Sequence, residues 1–217
     1  MKIKGVIFDF NGTLFWDTDL HNKAWDTFLE RYNFKLSDEE KNKKIHGKNN
    51  KDILNAIFPN QLSKKDINIL SEEKEKIYQE LCLQTNMQLA PGAVDLFYYL
   101  KGKNIPFVVA TASEIDNVNF YFDHLKLAPF FKRSEIIYNN GMMKSKPDPE
   151  IFNKAMNLMG LSGEETLIFE DSISGIKSAE NAKVAKIIIV NSNNDDYSNW
   201  DYQQIKNFSE VDKELFN

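Results

Sequence analysis

Four short polar clusters in the sequence carry side chains that could do chemistry. Each follows an apolar run or directly precedes a pattern typical of a helix. Paired carboxylates are ligands for a hard cation such as Mg²⁺, hydroxyls and backbone N–H groups bind phosphate oxygens, and an ammonium neutralises negative charge. Brought together, the clusters would form a site for a phosphate and a cation. They are Asp9 with Asn11, Thr111-Ala112-Ser113, Lys146, and Glu170 with Asp171.

Each cluster taken alone also has an ordinary interpretation. An aspartate such as Asp9 at a strand end is common, and Thr111 or Ser113 could be the N-cap of the next helix. Lys146 could be a solvated lysine, and Glu170-Asp171 could cap a following helix and favour its dipole. Their order along the chain, each at a strand end or a helix start, favours a shared site.

Apolar runs predict the strands that would position these clusters. Strands alternating with helices of about 10 to 15 residues indicate βαβ units and a parallel sheet. In such a sheet the carboxyl ends of the strands meet at one crevice, where ligands bind. The predicted strands cover Ile3–Phe8, Ile105–Ala110, Glu135–Tyr138, Thr166–Phe169 and Ala185–Val190, and a last strand and helix lie within Phe208–Phe216.

Helical patterns divide the chain into two parts. Residues 15–88 show only helical patterns, with capping boxes at Ser37 and Ser63. After Pro91-Gly92 the helices alternate with strands. We therefore predict a core made of residues 1–14 and 89–217, and a separate helical domain of residues 15–88. The predicted core helices are one that starts at Ala93 and buries Val94, Leu96, Phe97 and Leu100, and three over Asn117–Leu125, Pro149–Met159 and Ile173–Ala182.

Composition argues against several function classes. The 217 residues carry a net charge of −5, which gives no argument for nucleic-acid binding. The single cysteine, Cys82, excludes an intramolecular disulfide and a zinc site of several Cys ligands, and we expect its side chain to be buried. No apolar stretch approaches the ~20 residues of a membrane helix, and the first residues do not read as a signal peptide. We expect a soluble cytoplasmic monomer that binds neither nucleic acid nor membrane.

In this order the clusters resemble the motifs of the haloacid dehalogenase superfamily, and most closely its β-phosphoglucomutase-like phosphatase branch. The resemblance implies an α/β fold with a Rossmann-like parallel-sheet core and an all-helical cap inserted after the first motif. The matching segments are Asp9-Phe10-Asn11-Gly12-Thr13, Thr111-Ala112-Ser113, Lys146-Pro147-Asp148-Pro149 and Glu170-Asp171-Ser172.

The resemblance implies phosphoryl transfer through a covalent phosphoaspartate on Asp9. Mg²⁺ would be held by the Asp9 carboxylate, the backbone carbonyl of Asn11 and Asp171, with Glu170 close by. The cation would neutralise the repulsion between an anionic nucleophile and an anionic phosphate. The expected activity is hydrolysis of a small phosphomonoester, with a sugar phosphate as the favoured substrate.

The other two motifs would bind the phosphate. The resemblance implies that Thr111 and the N–H of Ala112 or Ser113 hold phosphate oxygens. Lys146 would bridge Asp9 and the phosphate as a point charge. It also implies a cis peptide bond between Lys146 and Pro147.

Asn11 is the one position where the sequence departs from the motif, because the family carries a second aspartate there. That aspartate protonates the leaving oxygen and then takes a proton from the attacking water, which an amide cannot do. General acid–base help is typically worth ~10²–10⁴-fold in rate. Three interpretations stay open: a slow or differently equipped phosphatase, a phosphometabolite-binding regulatory protein or a phosphoenzyme that persists, and an engineered variant.

Further residues of the helical segment bear on proton transfer and on the substrate. His21 matches a histidine of the family by its spacing from Asp9, and it either assists proton transfer or packs half-buried on a helix. Trp16 stands at the expected hinge. Gly47 lies in a segment, His46–Asn50, that resembles the substrate loop of the cap. The alternative enzyme is a β-phosphoglucomutase-like phosphosugar mutase. Asn50 stands where such mutases carry Arg, which argues against this alternative, although Lys48 or Lys51 could bind a second phosphate.

Overall fold

The computed structural model describes residues 2–217 and has an α/β architecture around a five-stranded parallel sheet. The strand order is β2-β1-β3-β4-β5. The strands are β1 (Gly5–Phe8), β2 (Phe107–Val109), β3 (Thr166–Glu170), β4 (Lys186–Val190) and β5 (Gln203–Ile205). The helices are α1 (Thr18–Glu30), α2 (Asp38–Lys44), α3 (Asn50–Ile57), α4 (Lys64–Leu83), α5 (Ala93–Gly102), α6 (Ile115–His124), α7 (Glu150–Met159) and α8 (Ile173–Asn181).

The central strand β1 is apolar on both faces because helices cover the sheet from both sides. Val6 and Phe8 pack into the larger core cluster, whereas Ile7, which points to the opposite face, packs into a second one. The Phe8 ring stacks on Phe169 of β3 with their centroids 5.1 Å apart. Since β2 and β3 flank β1 on opposite sides, the carboxyl end of β1 is the switch point at which a crevice opens.

Helices α1 to α4, called here the helical insertion, lie between β1 and α5 in the chain. Within the insertion, α1 and α4 make the most extensive contact. Trp25, Phe28 and Leu29 of α1 are buried. Both predicted capping boxes are present: the Ser37 hydroxyl accepts from the backbone of Glu40, and the Ser63 hydroxyl from that of Asp66. Cys82 is buried, as expected. Among residues 2–217 no helix is long and apolar enough to cross a membrane.

Three expectations about elements were wrong. Val94 is 37% exposed, because α5 turns Ala93, Leu96 and Phe97 toward the core instead. The strand expected at Glu135–Tyr138 is a short 3₁₀ helix, Arg133–Glu135, followed by a single bridge from Ala110 to Ile137.

The C-terminal segment also differs from the prediction. The last strand is β5, which comes before Phe208 and has two exposed glutamines and one buried apolar residue, Ile205. An edge strand of this kind has no apolar run to reveal it. Phe208–Glu210 and Lys213–Phe216 are 3₁₀ helices that pack against the core.

Candidate active site

The polar clusters meet at the carboxyl edge of the sheet. Asp9 directly follows β1, and its backbone N–H continues the ladder to the carbonyl of Phe169 at 3.0 Å. Glu170 is the last residue of β3, and Thr111 follows the end of β2. Asp9, Thr111 and Asp171, which lie just beyond these strands, border a pocket whose opposite wall is the helical insertion. The parallel register therefore brings together side chains that lie far apart in the sequence.

Lys146 lies between two of the carboxylates. Its ammonium donates to Asp9 Oδ1 at 2.6 Å and to Glu170 Oε1, and its side chain is 1% exposed. The bond from Lys146 to Pro147 is cis, which confirms that expectation. Burial alone would lower the pKa of Lys146, but the two ion pairs raise it. The lysine therefore carries a fixed positive charge beside Asp9.

Both oxygens of the Glu170 carboxylate accept hydrogen bonds. Its second oxygen accepts from the backbone N–H of Asp171 at 2.8 Å, from that of Ser172 at 2.7 Å and from the Ser172 hydroxyl at 3.0 Å. A Cβ on Gly175, one turn into α8, would overlap this carboxylate. Glu170 thus orients Lys146 through Oε1, while Oε2 is held by the start of α8.

Three carboxylates form a cluster that suits a hard cation. Ligand oxygens of Asp9, Glu170 and Asp171 lie within 4.8 Å of one another. Burial raises the pKa of Asp9 to about 7, and the shared Lys146 only partly offsets it. Burial, and then Glu170 and Asp9, also raise the pKa of Asp171 well above its ordinary value. Because the cluster has more negative charge than Lys146 can balance, its donor set fits a divalent cation with oxygen ligands.

The Asn11 side chain is held from both ends. Its Nδ2 donates to Asp17 Oδ2 at 2.7 Å and to the Tyr121 hydroxyl at 2.7 Å. Its Oδ1 accepts from the Ser113 hydroxyl at 2.8 Å and from that of Thr111 at 3.4 Å. An ionised carboxylate only accepts, so the nitrogen must face Asp17, and this fixes the orientation of the amide.

Asp17 was missed by the sequence analysis. At the start of α1 it looks like an N-cap residue, but within the described chain its side chain caps no backbone N–H of that helix. Instead this fully buried carboxylate accepts from Asn11, from the Gly12 N–H at 2.9 Å and from the Tyr78 hydroxyl. Tyr78 and Tyr121, which look like core residues in the sequence, were missed for the same reason.

His21 reaches this network through Asp17. Its Nε2 lies 3.4 Å from Asp17 Oδ2, and its Nδ1 lies 3.5 Å from the Lys74 ammonium. The imidazole stacks on the Tyr78 ring, with centroids 3.9 Å apart, and borders the pocket. The structure therefore brings His21 to the expected region, with Asp17 between it and Asn11.

The expected phosphate-binding residues also border the pocket. Thr111, Ala112 and Ser113 line it, and the Thr111 hydroxyl accepts from the Ser113 N–H at 3.1 Å. Gly47, with φ +72°, lies where the helical insertion touches the core, and a Cβ there would overlap the Ser174 hydroxyl. Trp16 is 39% exposed, and its indole N–H donates to the Thr13 carbonyl at 3.1 Å.

Comparison with known proteins identifies the family. The model of the haloacid dehalogenase-like hydrolases matches residues 6–189. The chain belongs to this family. A "Phosphorylated carbohydrates phosphatase" of Thermotoga maritima is 28% identical over 199 residues, covering 89% of this chain and 88% of that protein. The "Beta-phosphoglucomutase" of Bacillus subtilis is 26% identical, covering 83% and 80%.

A solved structure agrees over nearly the whole chain. A haloacid dehalogenase hydrolase of family IA, variant 3, from Entamoeba histolytica superposes with a TM-score of 0.87 at 34% identity, covering 99% of this chain and 97% of that one. This confirms the α/β haloacid dehalogenase-like fold. Membership of the family, together with relatives named as phosphatases, supports a phosphoric monoester hydrolase activity. Hydrolases of this family generally use Mg²⁺, for which the acidic cluster offers the ligands.

Proposed function

We propose that this protein is a Mg²⁺-dependent phosphatase that hydrolyses a small phosphorylated metabolite, in particular a sugar phosphate, through a phosphoaspartate at Asp9. The observation that carries the proposal is the arrangement of Lys146 between Asp9 and Glu170, with Asp171 completing an acidic cluster beside them. The similarity to a phosphatase of phosphorylated carbohydrates supports the choice of sugar phosphates.

In the first step, an oxygen of Asp9 forms a bond to phosphorus, and the bond from phosphorus to the leaving oxygen breaks. Lys146 holds Asp9 in position and reduces its negative charge, so that the carboxylate can approach an anionic phosphate. Thr111, the N–H of Ala112 and Ser113 bind phosphate oxygens. Mg²⁺, held by Asp9, Asp171 and the backbone carbonyl of Asn11 with Glu170 close by, would neutralise charge on the transferring group.

The leaving oxygen needs a proton that Asn11 cannot supply. We propose that His21 donates it from Nδ1, the ring nitrogen that Asp17 does not hold, and that Nδ1 then accepts a proton from the water that hydrolyses the phosphoaspartate. Asp17 would hold the imidazole, as carboxylates do beside catalytic histidines. Asn11 then acts by orientation, because its amide ties Asp17 to Ser113.

We further propose that residues 15–88 form a cap that covers the core of residues 1–14 and 89–217. Two contacts support this: the Ser174 hydroxyl donates to the His46 carbonyl at 2.7 Å, and the Asn49 N–H donates to the Ser145 hydroxyl at 3.1 Å. A cap in this position would exclude water from the phosphate and select the substrate.

The test is a phosphatase assay on an aryl phosphate and on a panel of sugar phosphates, with and without Mg²⁺. We expect Mg²⁺-dependent release of phosphate, loss of it in Asp9→Asn, and a rapid-quench phosphoenzyme that Asp9→Asn lacks. His21→Ala should slow alkyl phosphates about 10²-fold and aryl phosphates much less, because a phenolate leaves without a proton. An unchanged rate in His21→Ala on alkyl phosphates would contradict the role of His21.

A phosphometabolite-binding protein is the second candidate, and the observation that favours it is the saturated hydrogen bonding of Asn11. A side chain fixed in this way keeps the phosphate-binding residues in position but transfers no proton. Phosphate analogues that bind with Mg²⁺ present, without turnover of any phosphate including the aryl one, would select this function over hydrolysis.

A further inference from the structure

A buried ion pair lies on the wall of the pocket formed by the helical insertion. Lys74 and Glu75 are consecutive residues of α4, and both border the pocket. The Lys74 ammonium lies 2.6 Å from Glu75 Oε1, and the two side chains are 1% and 16% exposed. His21 and Asp17 lie between this pair and Asn11. The pair is therefore set back from Asp9, where the part of a substrate remote from the phosphate would lie.

The Lys74 ammonium is enclosed on several sides. It lies 5.0 Å from the centroid of the Trp25 ring and 5.5 Å from that of Tyr78, and 3.5 Å from His21 Nδ1. A buried ammonium is stable only when a carboxylate or aromatic faces compensate its charge, and here both do. Lys74 is consequently not a free cation waiting for an anionic ligand.

Glu75 is held as an ionised group by three donors. Asn50 Nδ2 donates to Oε1 and Asn117 Nδ2 donates to Oε2, each at 2.8 Å, in addition to Lys74. Burial opposes ionisation, but Lys74 and the other neighbours keep the pKa of Glu75 below its ordinary value. The wall thus presents a buried ion pair whose carboxylate is ionised and also accepts from two amides.

Carboxyl groups outnumber ammonium groups around the pocket. Five carboxylates border it against two lysines, Lys74 and Lys48. The Lys48 ammonium donates to the Lys43 carbonyl at an exposed position, so water screens its charge. A divalent cation and Lys146 can serve one phosphate at Asp9, but among residues 2–217 the far wall offers no uncompensated buried cation for a second one.

We propose that the Lys74–Glu75 pair makes this site specific for monophosphates whose far end is uncharged and carries hydroxyl groups. The inference rests on the proposed phosphatase function and narrows its substrate class. A hydroxyl can donate to the Glu75 carboxylate and accept from Lys74 without breaking the pair. A second phosphate would face Glu75 as a like charge or would have to separate a buried ion pair, and both are unfavourable.

The test compares two substrates that differ by one phosphate, fructose 6-phosphate and fructose 1,6-bisphosphate, with p-nitrophenyl phosphate as the measure of intact chemistry. We expect the wild type to prefer the monophosphate at least about tenfold in kcat/KM. Glu75→Gln should reduce this preference about tenfold or more, because it frees the Lys74 charge for the second phosphate. Lys74→Met should strengthen the preference, because it leaves the Glu75 charge unpaired.

Glu80→Gln is the matched control, since Glu80 is an exposed residue of the same helix and the change removes the same charge. It should leave the preference unchanged. If Glu75→Gln and Lys74→Met change the preference in the same direction, the pair is only structural and the proposal is wrong. A wild type that hydrolyses the bisphosphate as well as the monophosphate would also overturn it.

The proposed function can fail separately. If the wild type with Mg²⁺ does not hydrolyse p-nitrophenyl phosphate, hydrolysis is wrong. Calorimetric titration of the same proteins with the two fructose phosphates then decides the inference from the ratio of their dissociation constants, with the same expected directions.

Discussion

At the scale of single residues, Asn11 and Asp17 form one hydrogen-bonded unit. The amide nitrogen of Asn11 lies 2.7 Å from a carboxylate oxygen that is fully buried. If position 11 carried an aspartate beside Asp17, two carboxyl groups would share this distance, and one would have to keep a proton. The amide at position 11 therefore does more than replace an acid, because it donates a hydrogen bond to the neighbouring carboxylate.

This pairing predicts that changing Asn11 alone to aspartate is unfavourable, whereas exchanging the residues at positions 11 and 17 is tolerated. Asn11→Asp should destabilise the protein by about 1–3 kcal/mol, since it removes a donor from Asp17 and adds a buried like charge. Asn11→Asp combined with Asp17→Asn restores an amide–carboxyl pair with the carboxyl nearer Asp9. We expect that double variant to be more stable than Asn11→Asp and to hydrolyse alkyl phosphates at least about tenfold faster than Asp17→Asn alone, which has no carboxyl at either position.

Chemical denaturation and kinetics on one alkyl and one aryl phosphate provide the measurements. Asp17→Asn alone is the control, because it leaves an amide facing an amide and should lose stability without gaining activity. If Asn11→Asp is as stable as the wild type, the two residues are not a unit.

The motif residues of the site could be predicted from the sequence, whereas the network around them could not. Asp9, Lys146 and Glu170 are polar residues at strand ends or helix starts, where their types stand out. Tyr78 and Tyr121 lie at apolar positions of helical patterns, and their partner Asn11 is 67 and 110 residues away. A local pattern carries no information about a hydroxyl that bonds at such a distance.

At the scale of elements, the junction of β3 and α8 fixes the position of Lys146. β3 ends on Glu170, whose carboxylate folds back over the first turn of α8 and takes N–H groups of Asp171 and Ser172. Gly175 leaves the room for this carboxylate, because any side chain there would occupy its place. The helix start thus determines where the partner of Lys146 lies.

Gly175→Ala should therefore lower kcat even in the protein that remains folded. The new methyl group displaces Glu170, and Lys146 loses one of its two partners, so we expect kcat to fall about 10²-fold or more. The control is Gly102→Ala at the end of α5, where a Cβ meets no atom of the described residues within 4 Å. This control should keep full activity and gain up to about 1 kcal/mol of stability. Equal activities in the two variants would contradict the role of Gly175.

The elements themselves could be predicted where burial is strong. The strands β1, β3 and β4 are buried on both faces, and each contains an unbroken apolar run, at residues 6–8, 167–169 and 187–190 respectively. β5 at the edge has two exposed glutamines, and the bridge at Ile137 involves a single residue. Their pairing depends on neighbouring strands already in place, which the local sequence does not encode.

At the scale of the whole molecule, the site is complete only where the helical insertion touches the core. Gly47 lies at this contact: its neighbour His46 accepts from Ser174, and its own backbone approaches the hydroxyls of Ser172 and Ser174 too closely for any side chain. A methyl group would push apart the pocket wall that carries Glu75 and the edge that carries Asp9.

We expect Gly47→Ala to lower kcat/KM for sugar phosphates at least about tenfold, because the two sides of the pocket could no longer meet. The control is Gly141→Ala, which has a similar backbone strain, with φ +79° against +72°. Its new Cβ has no atom of residues 2–217 within 4 Å. Both variants should lose about 1–2 kcal/mol from the left-handed conformation. Thermal unfolding and steady-state kinetics separate the two effects, and a Gly141→Ala variant that loses as much activity as Gly47→Ala would show that strain, not closure, limits catalysis.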